Sequence, residues 1–193
     1  MKRHVVVIAG PSGSGKNAVI EALLQRFKKC SLLVNATTRT PREGEREGED
    51  YYFQSESAFK NGIENGCILE YRYVPSLGTY YGTYKPDLEE RIARGDIVLA
   101  HKDIVGARYL KEHYNAITIF LLPESIESLE RRIRARNPGM SKMELDERMK
   151  MVRSEVDKDA PQYDYRVVNA DGRLEKTVEE VVAILKKEGY NLD

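Results

Sequence analysis

Apolar positions follow two different rhythms along the chain. Short, almost unbroken apolar runs lie at residues 4–10 (HVVVIAG), 31–36 (SLLVNA), 96–100 (DIVLA), 116–122 (AITIFLL) and 165–169 (YRVVN). Runs of that length rich in Val and Ile are the mark of strands covered on both faces. Between them the spacing turns helical. Val19, Ile20, Leu23, Leu24 and Phe27 fall on one helical face. Residues 87–94, 104–114, 125–136, 143–156 and 175–187 read as further amphipathic helices. Strands alternating with helices predict an α/β fold around a parallel sheet. Two stretches break the alternation. Residues 37–84 are rich in Tyr, Gly and Glu, with short extended pieces (YYF, CILEYRY), and predict a small mixed-strand insertion. Residues 137–142 (NPGMSK) predict a turn between two charged helices.

Composition narrows the function classes. A chain of 193 residues with 41% hydrophobic and 32% charged residues suits one ordered domain with a buried core. Its 31 basic and 31 acidic residues cancel, which weighs against a general binder of nucleic acid or of membrane surfaces. No run approaches the length of a membrane span. The opening MKRHVVVIAG is too short in its apolar part for a secretory leader and reads as a first strand. Cys30 and Cys67 show neither metal spacing nor a framework of bridges, which fits a reduced, cytoplasmic protein.

The segment GPSGSGKNAV, residues 10–19, carries the first candidate chemistry. A strand ends at Gly10 and a helix follows Lys16. Between them Pro11, Ser12, Gly13, Ser14 and Gly15 form a glycine-rich loop whose backbone N–H groups can turn inward around phosphate oxygens. Lys16 would reach the terminal phosphates. The pattern GxxxxGK[ST] then calls for a hydroxyl that ligates Mg²⁺, and this chain has Asn17. Three roles stay open for Asn17: a direct Mg²⁺ ligand through its carbonyl oxygen, a ligand through water, or the mark of a loop that binds nucleotide and turns over slowly.

A second anion site is suggested by TTRTPREGEREGEDYYF, residues 37–53. Arg39 and Arg42 flank Pro41, which stiffens the chain between two guanidinium groups suited to a many-oxygened anion. The ordinary reading of such a charge run is a solvated loop. The order of motifs goes further. The loop at 10–16, the Arg-Pro-Arg segment, and Glu70 followed by YYGT at 80–83 stand here as they do in guanylate kinases, which the whole chain resembles. The resemblance implies a P-loop NTPase-type parallel sheet flanked by helices. It implies a core of residues 1–34, 85–130 and 160–193, a GMP-binding insertion at 35–84 and a helical lid at 131–159. It further implies ATP and GMP as substrates, Mg²⁺ as cofactor, and no nucleic-acid or membrane partner; oligomeric state stays open.

By the same resemblance, Arg39, Arg42, Tyr51 and Tyr81 would hold the phosphate of GMP, with Asn35 standing where the family usually places a Ser. Glu70 would accept from guanine N1–H and the exocyclic amine, Thr83 would face O6, and Asp103 would reach the amine. A site whose buried acceptors go unpaired rejects the wrong base by orders of magnitude. Asn169 would approach the adenine ring. Arg132, Arg136 and Arg148 would close over the phosphates, where a plain charge run would read as a salt-bridged helix pair. In VLAHKDIVGA, residues 98–107, His101 replaces an acid usual in the family. It would be a neutral hydrogen-bond partner, a protonated phosphate contact or a structural strand-end histidine. The leading expectation is a kinase converting ATP and GMP (or dGMP) to ADP and GDP. The alternatives are a catalytically weak module binding GMP or a phosphopeptide, and a kinase of another phosphorylated acceptor such as a ribose bisphosphate.

Overall fold

The computed structural model describes residues 3–192. Its centre is a five-stranded sheet of β1 (Val5–Ala9), β2 (Cys30–Leu32), β7 (Ile97–Ala100), β8 (Ile117–Pro123) and β9 (Tyr165–Asn169), ordered β2-β7-β1-β8-β9. All its pairings are parallel. Parallel strands need crossover connections, and helices supply them. These are α1 (Lys16–Arg26), α3 (Lys85–Ala93), α4 (Ile104–Tyr114), α5 (Ile126–Arg136) and α6 (Lys142–Ser154); α7 (Leu174–Lys187) follows the last strand. A π-helical turn, Glu155–Asp159, and a 3₁₀ turn, Ala160–Gln162, follow α6.

The apolar runs are unbroken because both sheet faces are covered. On β1, Val6 and Ile8 enter one core with Val19, Leu23, Val181 and Leu185 of α1 and α7. Their neighbours Val5, Val7 and Ala9 enter the opposite core with Leu88, Ala107 and Leu110 of α3 and α4. Buried polar ends are tied down: Asp164 accepts from the N–H and hydroxyl of Thr118, at 3.0 and 2.8 Å.

A second, mixed sheet holds β3 (Ala36–Thr37), β4 (Tyr52–Phe53), β5 (Ile68–Val74) and β6 (Thr79–Tyr84), ordered β4-β3-β6-β5. It packs on α2 (Glu56–Glu64) around Ala36, Phe59 and Ile68. Two sequence expectations are corrected here. The run at 31–36 is two strands in two sheets: the chain leaves β2 after Leu32 and enters the small sheet at Ala36. In the gap Val34 N–H donates to buried Asp87, so the backbone finds a side-chain partner in place of a ladder. The insertion also contains α2, capped by Ser55, which accepts from Ala58 N–H at 3.1 Å. The helices α5 and α6 share a third core of Leu129, Ile133, Leu145, Met149 and Val152, joined through the expected turn at 137–142.

Candidate active site

Ligands in open α/β sheets bind outside the carboxyl ends of the strands. Here β1 and β7 are adjacent, with Val7 opposite Ala100. Their continuations, the loop from Gly10 and the segment His101–Asp103, therefore emerge side by side.

The loop between β1 and α1 is held from outside. Asn169 Nδ2 donates to Ser14 O at 2.8 Å, and its Oδ1 accepts from Thr177 Oγ1 at 3.0 Å. Arg132 donates to Gly13 O (3.2 Å), to Asn169 O (3.1 Å) and, through Nε, to Asp171 (2.6 Å). Gly15 has φ of +88°, and a Cβ there would stand 2.2 Å from Asn169 Nδ2. Glycine is thus required for both conformation and clearance. With carbonyls clamped outward, a strand end and the N-terminus of α1 face the cleft, the arrangement that favours phosphate. The buried Ser14 hydroxyl has no hydrogen-bond partner among the described residues. Lys16 is buried and folds back over the loop, donating to Gly10 O at 2.6 Å and Pro11 O at 3.0 Å. Burial pushes its pKa down to about 8; Glu155 opposes that shift and Arg136 adds to it. Pro11 is buried, whereas Ser12 and Asn17 are exposed.

The segment 37–53 is folded rather than solvated. Arg39 makes a two-pronged pair with Glu45, at 3.0 and 2.8 Å, and its guanidinium lies 5.5 Å from the ring centre of Tyr51. Glu45 also accepts from Arg42 N–H at 2.8 Å, Glu47 from Phe53 N–H at 2.9 Å, and Asp50 from Arg46 N–H at 2.8 Å. These carboxylates set the turns that present Tyr51, whose ring meets that of Tyr81 edge-on at 5.9 Å. Arg39, Tyr51 and Tyr81 therefore form one cluster, while the Arg42 side chain is exposed at its edge.

At the other end of this groove, β5 and β6 slip register between Ile68 and Tyr71. Such a bulge re-aims a side chain, and Glu70 lies within it. Glu70 Oε1 accepts from Thr83 Oγ1 at 2.6 Å and pairs with Lys102 Nζ at 2.8 Å. Thr83 is buried and its hydroxyl proton is directed at Glu70. Lys102 also donates to Asn35 Oδ1 at 2.6 Å. Asp103 caps α4, its Oδ1 accepting from Val105 and Gly106 N–H at 3.1 Å each, with Arg72 3.7 Å from Oδ2.

His101, Lys102 and Asp103 join two cavities. One, of about 320 Å³, is lined with Gly10, Ser12, Lys16 and Glu155. The other, of about 300 Å³, is lined with Asn35, Tyr51, Glu70 and Tyr81. His101 further borders a third cavity, of about 400 Å³, with Asn17, Asn35, Glu49 and Asp50. The ring of His101 is exposed to this cleft, yet desolvation, then the ammonium groups of Lys16 and Lys102, push its pKa down, so it is neutral at pH 7. That weighs against the protonated phosphate contact among the roles left open for it.

The arginines expected to close over the phosphates are dispersed. Arg132 is spent on the loop and Asp171. Arg136 is exposed at the end of α5 and acts electrostatically on Lys16. Arg148 is exposed on α6, where it acts on Glu144, and it contacts none of the cleft residues described above. Sequence reasoning missed Lys102 and Glu155. A lysine ending an apolar strand, between His101 and Asp103, is the one local signal for the first; the second had none.

A family model described as guanylate kinase matches residues 2–188. The guanylate kinase of Prochlorococcus marinus subsp. pastoris is 40% identical over 186 residues, covering 95% of this chain and 97% of that one. That of Synechocystis sp. is 36% identical over 189 residues, covering 97% and 96%. The crystal structure of guanylate kinase from Anaplasma phagocytophilum superposes with a TM-score of 0.70 at 30% identity, covering 98% of this chain and 87% of that one.

Proposed function

The chain belongs to the guanylate kinase family, and from that premise we propose that its cleft transfers the γ-phosphoryl group of ATP to GMP, giving ADP and GDP. One observation carries this reading: His101, Lys102 and Asp103 line both the cavity of the phosphate loop and the cavity of Glu70 and Tyr81. Donor and acceptor phosphates would meet across that strand end.

Lys16 and the loop N–H groups would hold the triphosphate, with Gly10, Pro11, Ser12, Gly13, Ser14 and Gly15 forming the cradle. Asn169 serves by holding that cradle through Ser14. Arg39, Arg42, Tyr51, Tyr81 and Asn35 would receive the GMP phosphate, and Glu70, held by the Thr83 hydroxyl, and Asp103 would read the guanine edge. Two polyanions must be brought together; a pair of unit charges 4 Å apart repels by about 4 kcal/mol at an effective dielectric near 20. Lys16 and the guanidinium groups of Arg136 and, on closure of 131–159, Arg148 would offset this repulsion. The acceptor oxygen is already anionic, so no general base is needed.

Among the described residues no group of three or more His, Cys, Asp or Glu side chains could hold a metal by itself. The donor set beside Asn17, an amide oxygen near Glu49 and Asp50, suits a hard cation that arrives on its nucleotide and keeps water ligands. Asn17 would hold Mg²⁺, directly or through water. The ion, when bound, supplies charge neutralisation at the outer phosphates.

On a core of 1–34, 85–130 and 160–193, the separate small core of β3–β6 supports an acceptor insertion at 35–84, and the separate core of α5 and α6 supports a lid at 131–159 whose packing reaches back to Leu129. The free thiols of Cys30 and Cys67 are consistent with a cytoplasmic setting. No helix among the described residues is long and apolar enough to cross a membrane.

The test is a coupled assay with Mg²⁺·ATP and each nucleoside monophosphate in turn. Turnover with GMP and dGMP, and at least ~10²-fold lower kcat/KM with AMP, is expected from a site built to pair hydrogen-bond donors of one base. Equal rates with AMP, or none with any acceptor, would overturn the reading.

A further inference from the structure

Lys102 is a buried cation that the phosphoryl-transfer scheme above leaves without a task. Only 7% of its side-chain surface is accessible. Its ammonium stands between Glu70 Oε1 (2.8 Å) and Asn35 Oδ1 (2.6 Å), two side chains that line the acceptor cavity. A buried ammonium survives only where it is paired and hydrogen-bonded. Here both partners are residues assigned to GMP.

We propose that Lys102 is the positioning residue of the acceptor site, one ammonium that sets the base-reading carboxylate and the phosphate-facing amide together. The inference rests on the function proposed above. Lys102 and Thr83 converge on Oε1 of Glu70, which fixes the carboxylate in the β5 bulge and leaves Oε2 to meet the base. On the other side, an ammonium has donors and no acceptor. It therefore binds the oxygen of Asn35 and turns the NH₂ of that amide away from itself, as a donor for an anion. A base-reader on β5 and a phosphate donor in the link between β2 and β3 are held at one spacing by a single charge.

The stem of Lys102 is guided by Gly106 in the first turn of α4. A Cβ at Gly106 would stand 3.0 Å from Lys102 Cδ and 3.1 Å from Glu70 Oε1. Alanine there would press on both members of the pair without touching any charge, and it raises rather than lowers helix propensity.

The experiment compares the unaltered chain with Lys102→Met and Gly106→Ala, each checked by thermal melting, in steady-state assays with Mg²⁺·ATP and GMP or AMP. For Lys102→Met, loss of charged hydrogen bonds that act on acceptor binding should raise KM for GMP at least ~10-fold, with kcat within about 3-fold and KM for ATP within about 2-fold. The ratio of kcat/KM for GMP over AMP should fall as well. Gly106→Ala should move KM for GMP in the same direction by about 3-fold or more, through the pair it crowds. A folded Lys102→Met chain with unchanged KM for GMP overturns the inference, and so does a fall in kcat at unchanged KM. Should Lys102→Met fail to fold, Gly106→Ala decides: an unchanged KM for GMP overturns it. If the unaltered chain does not turn over GMP, the proposed function itself falls and the inference with it.

Discussion

Replacing Lys16 by Met should stabilise the fold while abolishing turnover. The ammonium is buried, and its pKa is held near 8 instead of 10.5. A cation with a lowered folded pKa costs stability in full below the folded value, and the cost fades as pH rises from about 8 towards the unfolded value. The depression corresponds to a cost of ~3 kcal/mol at pH 7. Methionine fills the same stem but cannot donate to Gly10 O and Pro11 O, a loss of about 1 kcal/mol each. The net expectation is a gain of ~1 kcal/mol at pH 7. The sharper signature is the trend. Between pH 7 and about pH 9.5 the cost in the unaltered chain shrinks by ~2 kcal/mol, so the advantage of Lys16→Met should shrink equally and reverse. Urea unfolding without nucleotide at the two pH values measures it. In parallel, kcat with ATP and GMP should fall at least ~10²-fold, since a cation facing developing charge is lost. A variant less stable at pH 7, or a stability difference that does not move with pH, would refute the account of a cation held at a cost until phosphate arrives.

Three further substitutions probe the rest of the cleft. Asn169→Ala removes the clamp on Ser14 O and leaves Thr177 without its side-chain acceptor; a loss of ~1–3 kcal/mol in unfolding and a raised KM for ATP are expected, and a change confined to KM for GMP would contradict the clamp. Glu70→Ala should erode discrimination between GMP and AMP, read from kcat/KM for each; an equal loss for both bases would show that Glu70 does not read the base. Asn17→Ser should shift the Mg²⁺ concentration needed for half-maximal rate and leave KM for GMP unchanged; the reverse pattern would show that Asn17 does not face the nucleotide's metal.

The sequence by itself determined the layered α/β framework, because strands buried on both faces must be apolar at nearly every position; β1 and, but for Thr118, β8 read that way at a glance. It also determined the glycine-rich loop between β1 and α1, since Gly10, Gly13 and Gly15 act through positive-φ backbone within one β–α turn and Lys16 folds back over that same turn. The helix α2 was legible in principle, through Ser55 and the apolar pair Phe59 and Ile63, but the neighbouring tyrosine-rich strands masked its period. What only the tertiary structure decided are the pairings between distant residues: Asn169 with Ser14, 155 positions apart, and Lys102 with Asn35, 67 apart. The split of residues 31–36 between two sheets belongs to the same class, since it depends on Asp87 accepting from Val34. Local periodicity records which face of an element is apolar. It carries no record of which buried charge will find which partner, because desolvation and pairing are settled only when strands from different parts of the chain are brought to the same edge.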